Sequence, residues 1–393
     1  MENRPNEGAV RDSLSIGLRV WPAVVLLIAL AALKCLPAIS PEPSMAVIMA
    51  QFMGPLAIAA LVLVWWVGFS RAAGREKLLG LGGFLAILLI TNFIADPSIR
   101  GFLYLLFALP WGITAFAGSL VMLASRPAVR LGICLTVTLV VFGVWDLLRA
   151  DAIHGDFSTD LAWRWTPTAE DRFLDRLASQ GPSDAMPDLV WSDQPEWPAF
   201  RGLARDGVQP DVQLSEDWDA NPPKELWRIA VGPGWSSFSV AGDRLFTQEQ
   251  RGEQETVVCY EAASGKQLWA HQTESRFWEA VGGAGPRATP TIDGDALFTT
   301  GASGDVLRLD PRTGEQVWHR DLREDAERDP PMWGFSASPL VTHGVVIVYA
   351  GGAGEKGIVA YDRETGQPAW TAAAGDHSYS SAHPAELGGR PVV

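Results

Sequence analysis

The chain has 393 residues, of which 48% are hydrophobic and 19% are charged, a composition that excludes disorder along its whole length. Its charge is divided unevenly. Residues 1–150 carry 11 Lys and Arg against 7 Asp and Glu, a net +4, whereas residues 151–393 carry 20 against 38, a net −18. So acidic a C-terminal part argues against a nucleic-acid partner, because phosphate binding needs a basic surface. The three cysteines exclude a disulfide-dense scaffold.

Five apolar stretches in the N-terminal part of the chain predict membrane-spanning helices. They are residues 20–39, 45–69, 78–95, 101–124 and 131–148. Each approaches the ~20 residues that a helix needs to cross a hydrocarbon core of ~30 Å. A backbone in lipid must satisfy its own hydrogen bonds, which favours helices. A soluble helical bundle is the alternative, but its exposed faces would need charges that these stretches lack. We therefore expect a five-helix transmembrane region over residues 20–148.

The distribution of Lys and Arg predicts the orientation of these helices. Basic residues are concentrated in the N-terminal tail, residues 1–19, and in the second and fourth loops, and such segments stay in the cytoplasm. After five crossings, the chain from residue 149 onward lies outside. The prediction is a multi-pass protein of the cytoplasmic (inner) membrane with a periplasmic C-terminal domain and the lipid bilayer as a partner. A cleaved signal peptide at the first stretch is the alternative.

Residues 149–198 predict an extracytoplasmic linker that contains one short helix. Thr166 is a candidate helix cap, Pro167 suits the first helical position, and apolar side chains follow up to Leu177. Residues 181–198 contain four prolines, which indicates a linker or an extended arm.

A repeat dominates the chain beyond residue 224. Its three copies are residues 260–269, 309–318 and 361–370, and residues 224–227 match the end of an earlier copy. In each copy an acidic residue and a Ser or Thr can hydrogen-bond the backbone of a turn, and a glycine supplies a positive φ. The tryptophan that follows is expected to bury its ring against the next sheet.

Short β-rich runs surround each copy. They are residues 244–247, 257–260, 296–300, 345–349 and 358–361. Four short strands in a unit of about fifty residues are typical of a β-propeller blade. Asp293 and Asp295, at one of the turns, are compatible with calcium binding, but a two-strand turn explains them better.

The pattern of acid, Ser/Thr-Gly and Trp resembles the tryptophan-docking repeat of the pyrroloquinoline quinone (PQQ) type β-propellers. That superfamily contains the quinoprotein alcohol and glucose dehydrogenases and non-catalytic propellers, such as the lipoprotein subunit of the outer-membrane protein assembly machine. Residues 197–202 and 205–207 are similar to the lead-in of many members. Five spans before a propeller resemble the layout of membrane-bound glucose dehydrogenase. The resemblance implies a helical transmembrane bundle followed by an all-β propeller over residues 199–393.

The length of the repeat region predicts an incomplete propeller. Residues 224–393 supply about three to four blades, whereas propellers close with about four to eight. An open ring would leave a bare sheet edge and a bare apolar face. We therefore expect the sequence to be a fragment, or else a partner chain to complete the ring.

The segments that lead into the first strand of each blade contain the candidate binding residues, because the innermost strands of a propeller line its channel. The candidates for cofactor binding are Trp235, Ser236, Arg287, Thr289, Trp333, Ser336 and Tyr379. Aromatic rings with one guanidinium can hold a planar anionic quinone such as PQQ. The alternative is that these residues only start strands and pack between blades.

The resemblance to the dehydrogenases implies PQQ, a Ca²⁺ held by Glu and Asn, and an Asp that acts as a general base. We assign no catalytic residue and predict no metal site. No Asn follows Asn221 to supply a calcium ligand, and Cys259 has no second cysteine next to it in the sequence. Glu279, Asp376 and His377 are weak candidates. The leading hypothesis is a membrane-anchored extracytoplasmic propeller that binds or scaffolds another extracytoplasmic protein. The alternative is a PQQ-dependent alcohol or sugar dehydrogenase that passes electrons to membrane quinone.

Overall fold

The computed structural model describes residues 17–39, 44–155, 158–179, 191–192, 194–210, 212–375 and 378–393. The chain divides into two compact units, Met1–Thr166 and Pro167–Val393. The first unit is mainly helical, and the second unit is built mainly of β-sheets.

The helices of the first unit follow the predicted apolar stretches. They are α1 (Trp21–Ile39), α2 (Met45–Val64), α3 (Gly74–Ile94), α4 (Phe102–Phe107), α5 (Leu109–Met122) and α6 (Pro127–Trp145), and a π-helical turn, Trp65–Phe69, continues α2. The segments Met45–Phe69, Gly74–Ile94 and Pro127–Trp145 are long and apolar enough to cross a membrane. Among the described residues, α1 and α5 contribute shorter apolar runs. Five crossings therefore remain a prediction.

The fourth predicted stretch is two helices rather than one. Ala108 lies between α4 and α5, and Pro110 occupies the first turn of α5. A proline has no amide hydrogen to donate to the preceding turn, so it starts a helix more readily than it continues one. Aromatic rings pack the interior of this unit, with Phe84 and Phe116 at a centroid separation of 5.1 Å.

A β-hairpin follows α6, in a region for which the sequence predicted only a linker. Its strands are β1 (Leu148–Ile153) and β2 (Thr159–Trp163), which pair antiparallel. Arg149 is buried, and its Nη1 donates to the carbonyl of Thr166 at 2.6 Å. The hairpin therefore gives part of the predicted linker a fixed structure.

The short helix of the predicted linker is α7 (Ala169–Ser179), which begins two residues later than expected. Thr168 caps it, because the amide of Asp171 donates to the Thr168 Oγ1 at 2.9 Å and the amide of Thr168 donates to the Asp171 carboxylate at 2.7 Å. Thr166, the predicted cap, instead donates its hydroxyl to the carbonyl of Trp163.

The described part of the second unit contains three four-stranded antiparallel sheets. Sheet 1 has the order β3 (Ser239–Ala241), β4 (Arg244–Arg251), β5 (Gln254–Glu261) and β6 (Gln267–Glu274). A small hairpin of β7 (Trp278–Glu279) and β8 (Gly283–Ala284) follows. Sheet 2 has the order β9 (Thr291–Asp293), β10 (Ala296–Thr300), β11 (Asp305–Leu309) and β12 (Gln316–Asp321).

After a short helix, α8 (Leu322–Asp325), comes sheet 3, with β13 (Leu340–Thr342), β14 (Val345–Tyr349), β15 (Ile358–Asp362) and β16 (Pro368–Ala372). A 3₁₀ turn, Gly354–Lys356, precedes β15, and the pair β17 (Ala385–Leu387) and β18 (Arg390–Val392) follows sheet 3. The predicted β-rich runs lie in β4, β5, β10, β14 and β15. Two apolar layers pack sheet 2 against its neighbours, one containing Phe246 and Trp269 and the other Phe298 and Trp318.

Three tryptophans of the repeat region lie over the glycine of the following copy. The three pairs are Trp227 over Gly265, Trp269 over Gly314, and Trp318 over Gly366. Each indole Nε1 donates to the carbonyl three residues before that glycine, at distances of 2.9, 3.1 and 3.1 Å. The three glycines have φ angles of +71°, +78° and +70°. The predicted positive-φ turn is thus observed in all three copies. The predicted burial of the ring is observed for Trp269 and Trp318, whereas Trp370 of the third copy is 41% exposed.

The turn at Asp293 and Asp295 belongs to the packing between sheets 2 and 3. Arg363 pairs with the Asp293 carboxylate at 2.6 Å and with the Asp295 carboxylate at 3.0 Å. The two carboxylates therefore have a cationic side chain as their partner, in agreement with a turn rather than a calcium site.

Candidate functional site

A ladder of hydroxyl groups joins the lead-in segments of successive sheets. The amide of Ser237 donates to the Thr289 Oγ1 at 3.0 Å, and the amide of Thr289 donates to the Ser338 Oγ at 2.9 Å. The amide of Ser338 in turn donates to the Ser381 Oγ at 2.9 Å. Thr289 and Ser338 are 2% exposed, so the hydroxyl groups of Ser338 and Ser381 satisfy buried amides, whereas Ser237 is exposed. The structure thus places one predicted site residue, Thr289, in the framework between sheets.

The two predicted serines make local contacts. The Ser236 hydroxyl donates to the carbonyl of Ser237 at 2.8 Å and accepts from the amide of Gln248 at 3.3 Å. The Ser336 hydroxyl donates to the carbonyl of Gly334 at 3.2 Å. Both residues are half-buried. Ser338 and Ser381, rather than the predicted Ser236 and Ser336, contribute their hydroxyl groups to the ladder.

Trp235 lies against the β7–β8 hairpin. Its backbone amide donates to the carbonyl of Pro286 at 2.8 Å, and its indole Nε1 donates to the carbonyl of Gly282 at 2.7 Å. The residue is nevertheless 66% exposed. One edge of the ring is therefore fixed by the hairpin, while most of its surface faces solvent.

The Arg287 side chain lies inside the same hairpin and is 7% exposed. Its guanidinium donates to the carbonyls of Gly283 at 2.8 Å and Gly285 at 2.9 Å, and one nitrogen lies 3.5 Å from the Glu279 carboxylate. The guanidinium also lies 5.2 Å from the centre of the Phe277 ring. Burial lowers the pKa of Arg287, and Glu279 opposes that shift. These contacts give Arg287 a role in holding the hairpin.

The Glu279 carboxylate also makes its hydrogen bonds within the hairpin. One carboxylate oxygen accepts from the amide of Val281 at 2.7 Å, and the other accepts from the amide of Gly282 and faces Arg287. Both oxygens of the carboxylate thus already accept hydrogen bonds within the hairpin, which gives Glu279 a structural role there. The other two weak candidates, Asp376 and His377, lie outside the described residues.

Trp333 and Tyr379 form a stacked pair on the lead-in segments of sheet 3 and of the β17–β18 pair. Their ring centres are 5.6 Å apart with an interplanar angle of 26°, and both residues are more than 40% exposed. The predicted residues therefore form two groups: Trp235 with Arg287, and Trp333 with Tyr379.

Glu255 is a titratable residue that the sequence analysis did not select. It is 5% exposed on β5 and accepts one hydrogen bond, from the amide of Ala302 at 2.8 Å. Its second oxygen has no partner among the described residues. Burial raises the pKa of Glu255 to about 7, and the nearby Asp305 adds to that shift. Side chains two residues apart on a strand face the same side of the sheet, and Val257 and Cys259 of β5 lie in the core. The spacing of Glu255 from these two residues therefore indicates its burial.

The described residues do not fit a PQQ and calcium site. They contain no group of three or more His, Cys, Asp or Glu side chains that could hold a metal ion. The guanidinium expected to pair with the quinone carboxylates is bonded to its own hairpin, and Trp333 and Tyr379 stack on each other.

The repeat region is similar to known proteins. A family model described as outer membrane protein assembly factor BamB matches residues 217–282 and 255–389. The chain is 31% identical over 119 residues to the quinohemoprotein alcohol dehydrogenase ADH IIB of Pseudomonas putida, a match that covers 29% of this chain and 17% of that protein. It is 23% identical over 165 residues to the glycerol dehydrogenase large subunit of Gluconobacter oxydans, covering 42% of this chain and 20% of that protein.

The chain thus spans about a fifth or less of the length of these curated relatives. Among solved structures, the quinohemoprotein alcohol dehydrogenase of Comamonas testosteroni matches with a TM-score of 0.35 and 20% identity, over 46% of this chain and 27% of that chain. Residues 217–389 carry the matched repeats together with the tryptophan-over-glycine contacts. This part of the chain is therefore similar to the repeats of the PQQ-type β-propellers.

Proposed function

We propose that the chain is a membrane-anchored protein whose repeat region acts outside the cytoplasm as a binding or scaffolding module, each of the three sheets forming one propeller blade. One observation carries the proposal. The polar side chains of the lead-in segments serve the fold, whereas the aromatic rings of Trp235, Trp333 and Tyr379 remain exposed. Exposed aromatic side chains are typical of protein-binding surfaces.

The membrane part of the proposal rests on the N-terminal unit. Three of its helical segments are long and apolar enough to span a bilayer, and two further apolar stretches bring the predicted number of crossings to five. An odd number of crossings from a basic cytoplasmic tail predicts a periplasmic location for the repeat region. Reporter fusions test this topology: alkaline phosphatase should be active after residue 165 and inactive after residues 72 and 126. Activity after residue 72 would contradict it.

The second candidate function is that of a PQQ-dependent alcohol or sugar dehydrogenase that transfers electrons to membrane quinone. The sequence similarity to two alcohol-oxidising enzymes favours it. The described residues contain no group of three or more His, Cys, Asp or Glu side chains that could hold a metal ion, and we derive no catalytic step from them.

Titration of the purified full chain with PQQ and Ca²⁺ separates the two functions. A scaffold shows no saturable quinone binding and reduces no dye in the presence of alcohols or sugars. Micromolar binding with substrate-dependent dye reduction would overturn the scaffold proposal and support the dehydrogenase.

A comparison of periplasmic proteins retained by immobilised variants tests the binding surface. Proteins retained by the wild type should be lost from Trp333→Ala/Tyr379→Ala. They should be kept by Trp218→Ala, which removes an equally exposed tryptophan of the same unit. Equal retention by all three proteins would contradict the proposed surface.

A further inference from the structure

A cavity of about 450 Å³ lies between α7 and one face of sheet 1, and none of the predicted site residues lines it. Three contacts fix α7 on that face. Glu170 pairs with Arg276 at 2.9 Å and accepts from the amide of Gly252 at 3.0 Å, and the Phe173 ring lies 5.7 Å from the Arg251 guanidinium. The cavity is therefore bounded by elements that are held together by specific contacts, and its volume lies within the range of ~300–1,000 Å³ common for small-molecule sites.

The lining of the cavity is cationic. Four of its side chains carry a positive charge and none is acidic: Arg176, Arg228, Arg251 and Lys266. The surrounding part of the chain, residues 151–393, has a net charge of −18. A local excess of cations in so acidic a region creates a positive potential that attracts anions.

Two of the four cations are neutralised by the fold. Arg251 pairs with the buried Glu249 at 2.6 Å. Arg228 pairs with Glu225 at 2.5 Å, although both side chains are exposed. These pairs leave the charge of the other two cations uncompensated.

Arg176 and Lys266 are those two cations. Arg176 donates only through its Nε, to the carbonyl of Arg172 at 3.2 Å, so both terminal nitrogens of its guanidinium are available among the described residues. The Lys266 ammonium has no hydrogen-bond or ion-pair partner in the described part of the chain; its backbone amide donates to the Ser264 hydroxyl. A guanidinium fork and an ammonium point charge are the two side-chain groups that proteins use most to bind phosphate.

The rest of the wall supplies an apolar surface. Phe173 and Leu177 of α7 face the cavity from one side, and Ile229 and Ala230 face it from the lead-in to sheet 1. A ligand that matches both parts of the lining carries two negative charges on one group and an apolar group beside it.

We propose that this cavity binds an organic phosphate monoester, with the dianionic phosphate between Arg176 and Lys266 and the organic part against Phe173 and Leu177. Soluble phosphate esters and the headgroup of phosphatidic acid share this chemistry. Arg251 and Arg228, whose charges are balanced by their own partners, add hydrogen-bond donors but no net charge.

Calorimetric titration of the full chain in phosphatidylcholine nanodiscs with phenyl phosphate tests the proposal. We expect saturable binding with one site per chain and a Kd that rises by about tenfold or more in Arg176→Gln/Lys266→Gln. The matched control is Lys224→Gln, which removes an exposed lysine outside the cavity and should bind as the wild type does. Absence of saturable binding at millimolar phenyl phosphate, or equal affinity in the double variant, would overturn the proposal.

A second arm identifies the source of the phosphate. In nanodiscs that contain phosphatidic acid, a headgroup seated in the cavity competes with phenyl phosphate and weakens its apparent affinity for the wild type. If the apparent affinity is unchanged, the site takes a soluble ester. The unfolding midpoint of the double variant should equal that of the wild type, since both substituted side chains are exposed.

Discussion

The indole ring of Trp269 lies directly over Gly314 of the following sheet. A Cβ atom at Gly314 would lie 2.6 Å from the Cε3 atom of that ring, well inside contact distance. Gly314 also has a φ of +78°, a conformation that costs other residues about 1–2 kcal/mol. Glycine is thus required at this position for two independent reasons, backbone conformation and the space that the ring occupies.

Gly314→Ala and Gly344→Ala separate those two reasons. Gly344 has a φ of +77°, and no atom lies within 4 Å of its Cβ position, so its substitution adds only backbone strain. We expect a loss in the free energy of unfolding of about 1 kcal/mol for Gly344→Ala and about 3 kcal/mol for Gly314→Ala. Urea denaturation of the full chain in detergent, followed by tryptophan fluorescence, measures both. Equal losses would mean that the ring moves aside at no cost.

Thr289→Val tests the hydroxyl ladder. Valine keeps the shape of threonine but removes the Oγ1 that accepts from the amide of Ser237, so a hydrogen bond between two lead-in segments is lost. Because Ser237 is exposed and its amide can turn to water, the expected loss in the free energy of unfolding is about 1 kcal/mol. Thr289→Ser retains the hydroxyl group and should therefore keep most of the free energy of unfolding that Thr289→Val loses. If valine and serine have the same effect, the loss comes from packing rather than from the hydrogen bond.

Contacts that recur at a fixed spacing along the chain can be predicted from the sequence, whereas contacts that depend on how two sheets meet cannot. The turn glycines and the docked tryptophans recur at a fixed spacing, so the sequence alone predicts their contacts. The ladder depends on which hydroxyl of one sheet reaches the next, and its members Ser338 and Ser381 are not distinguished in the sequence from Ser336.

The residue type of Arg287 makes it a candidate for ligand binding, with a structural role as the alternative. In the structure its guanidinium donates to the carbonyls of Gly283 and Gly285, only a few residues away. Composition and spacing do not reveal how a short loop folds back on one side chain. The β1–β2 hairpin was missed for the same reason, since its register depends on contacts such as that of Arg149 with the carbonyl of Thr166.

Glu255 should make the stability of the repeat region dependent on pH. Burial raises its pKa to about 7 in the folded state, above the ordinary value of 4.5. The folded state therefore binds the proton more tightly than the unfolded state, so the contribution to stability is complete at low pH and is lost as pH rises through about 7. The difference amounts to about 3 kcal/mol.

Glu255→Gln removes that dependence. We expect the free energy of unfolding of the wild type, relative to the variant, to fall between pH 5 and pH 8, as measured by urea denaturation at each pH. Glu315→Gln, on an exposed turn, is the matched control and should retain the wild-type profile. Parallel profiles for wild type and Glu255→Gln would show that another group titrates.

Arg287→Lys distinguishes a hairpin-holding role from a ligand-binding role. Lysine keeps the charge but loses the fork that reaches the carbonyls of Gly283 and Gly285, and it leaves Glu279 with a less well-placed cation. The β7–β8 hairpin should then open more often.

Chymotrypsin should cleave after Phe277 or Trp278 faster in the variant than in the wild type, because proteolysis follows the population of the open form. Arg312→Lys, an exposed substitution in the turn of the second repeat, should leave the rate unchanged. If Arg287→Lys is as resistant as the wild type, the guanidinium is dispensable for the hairpin, and its proposed structural role is wrong.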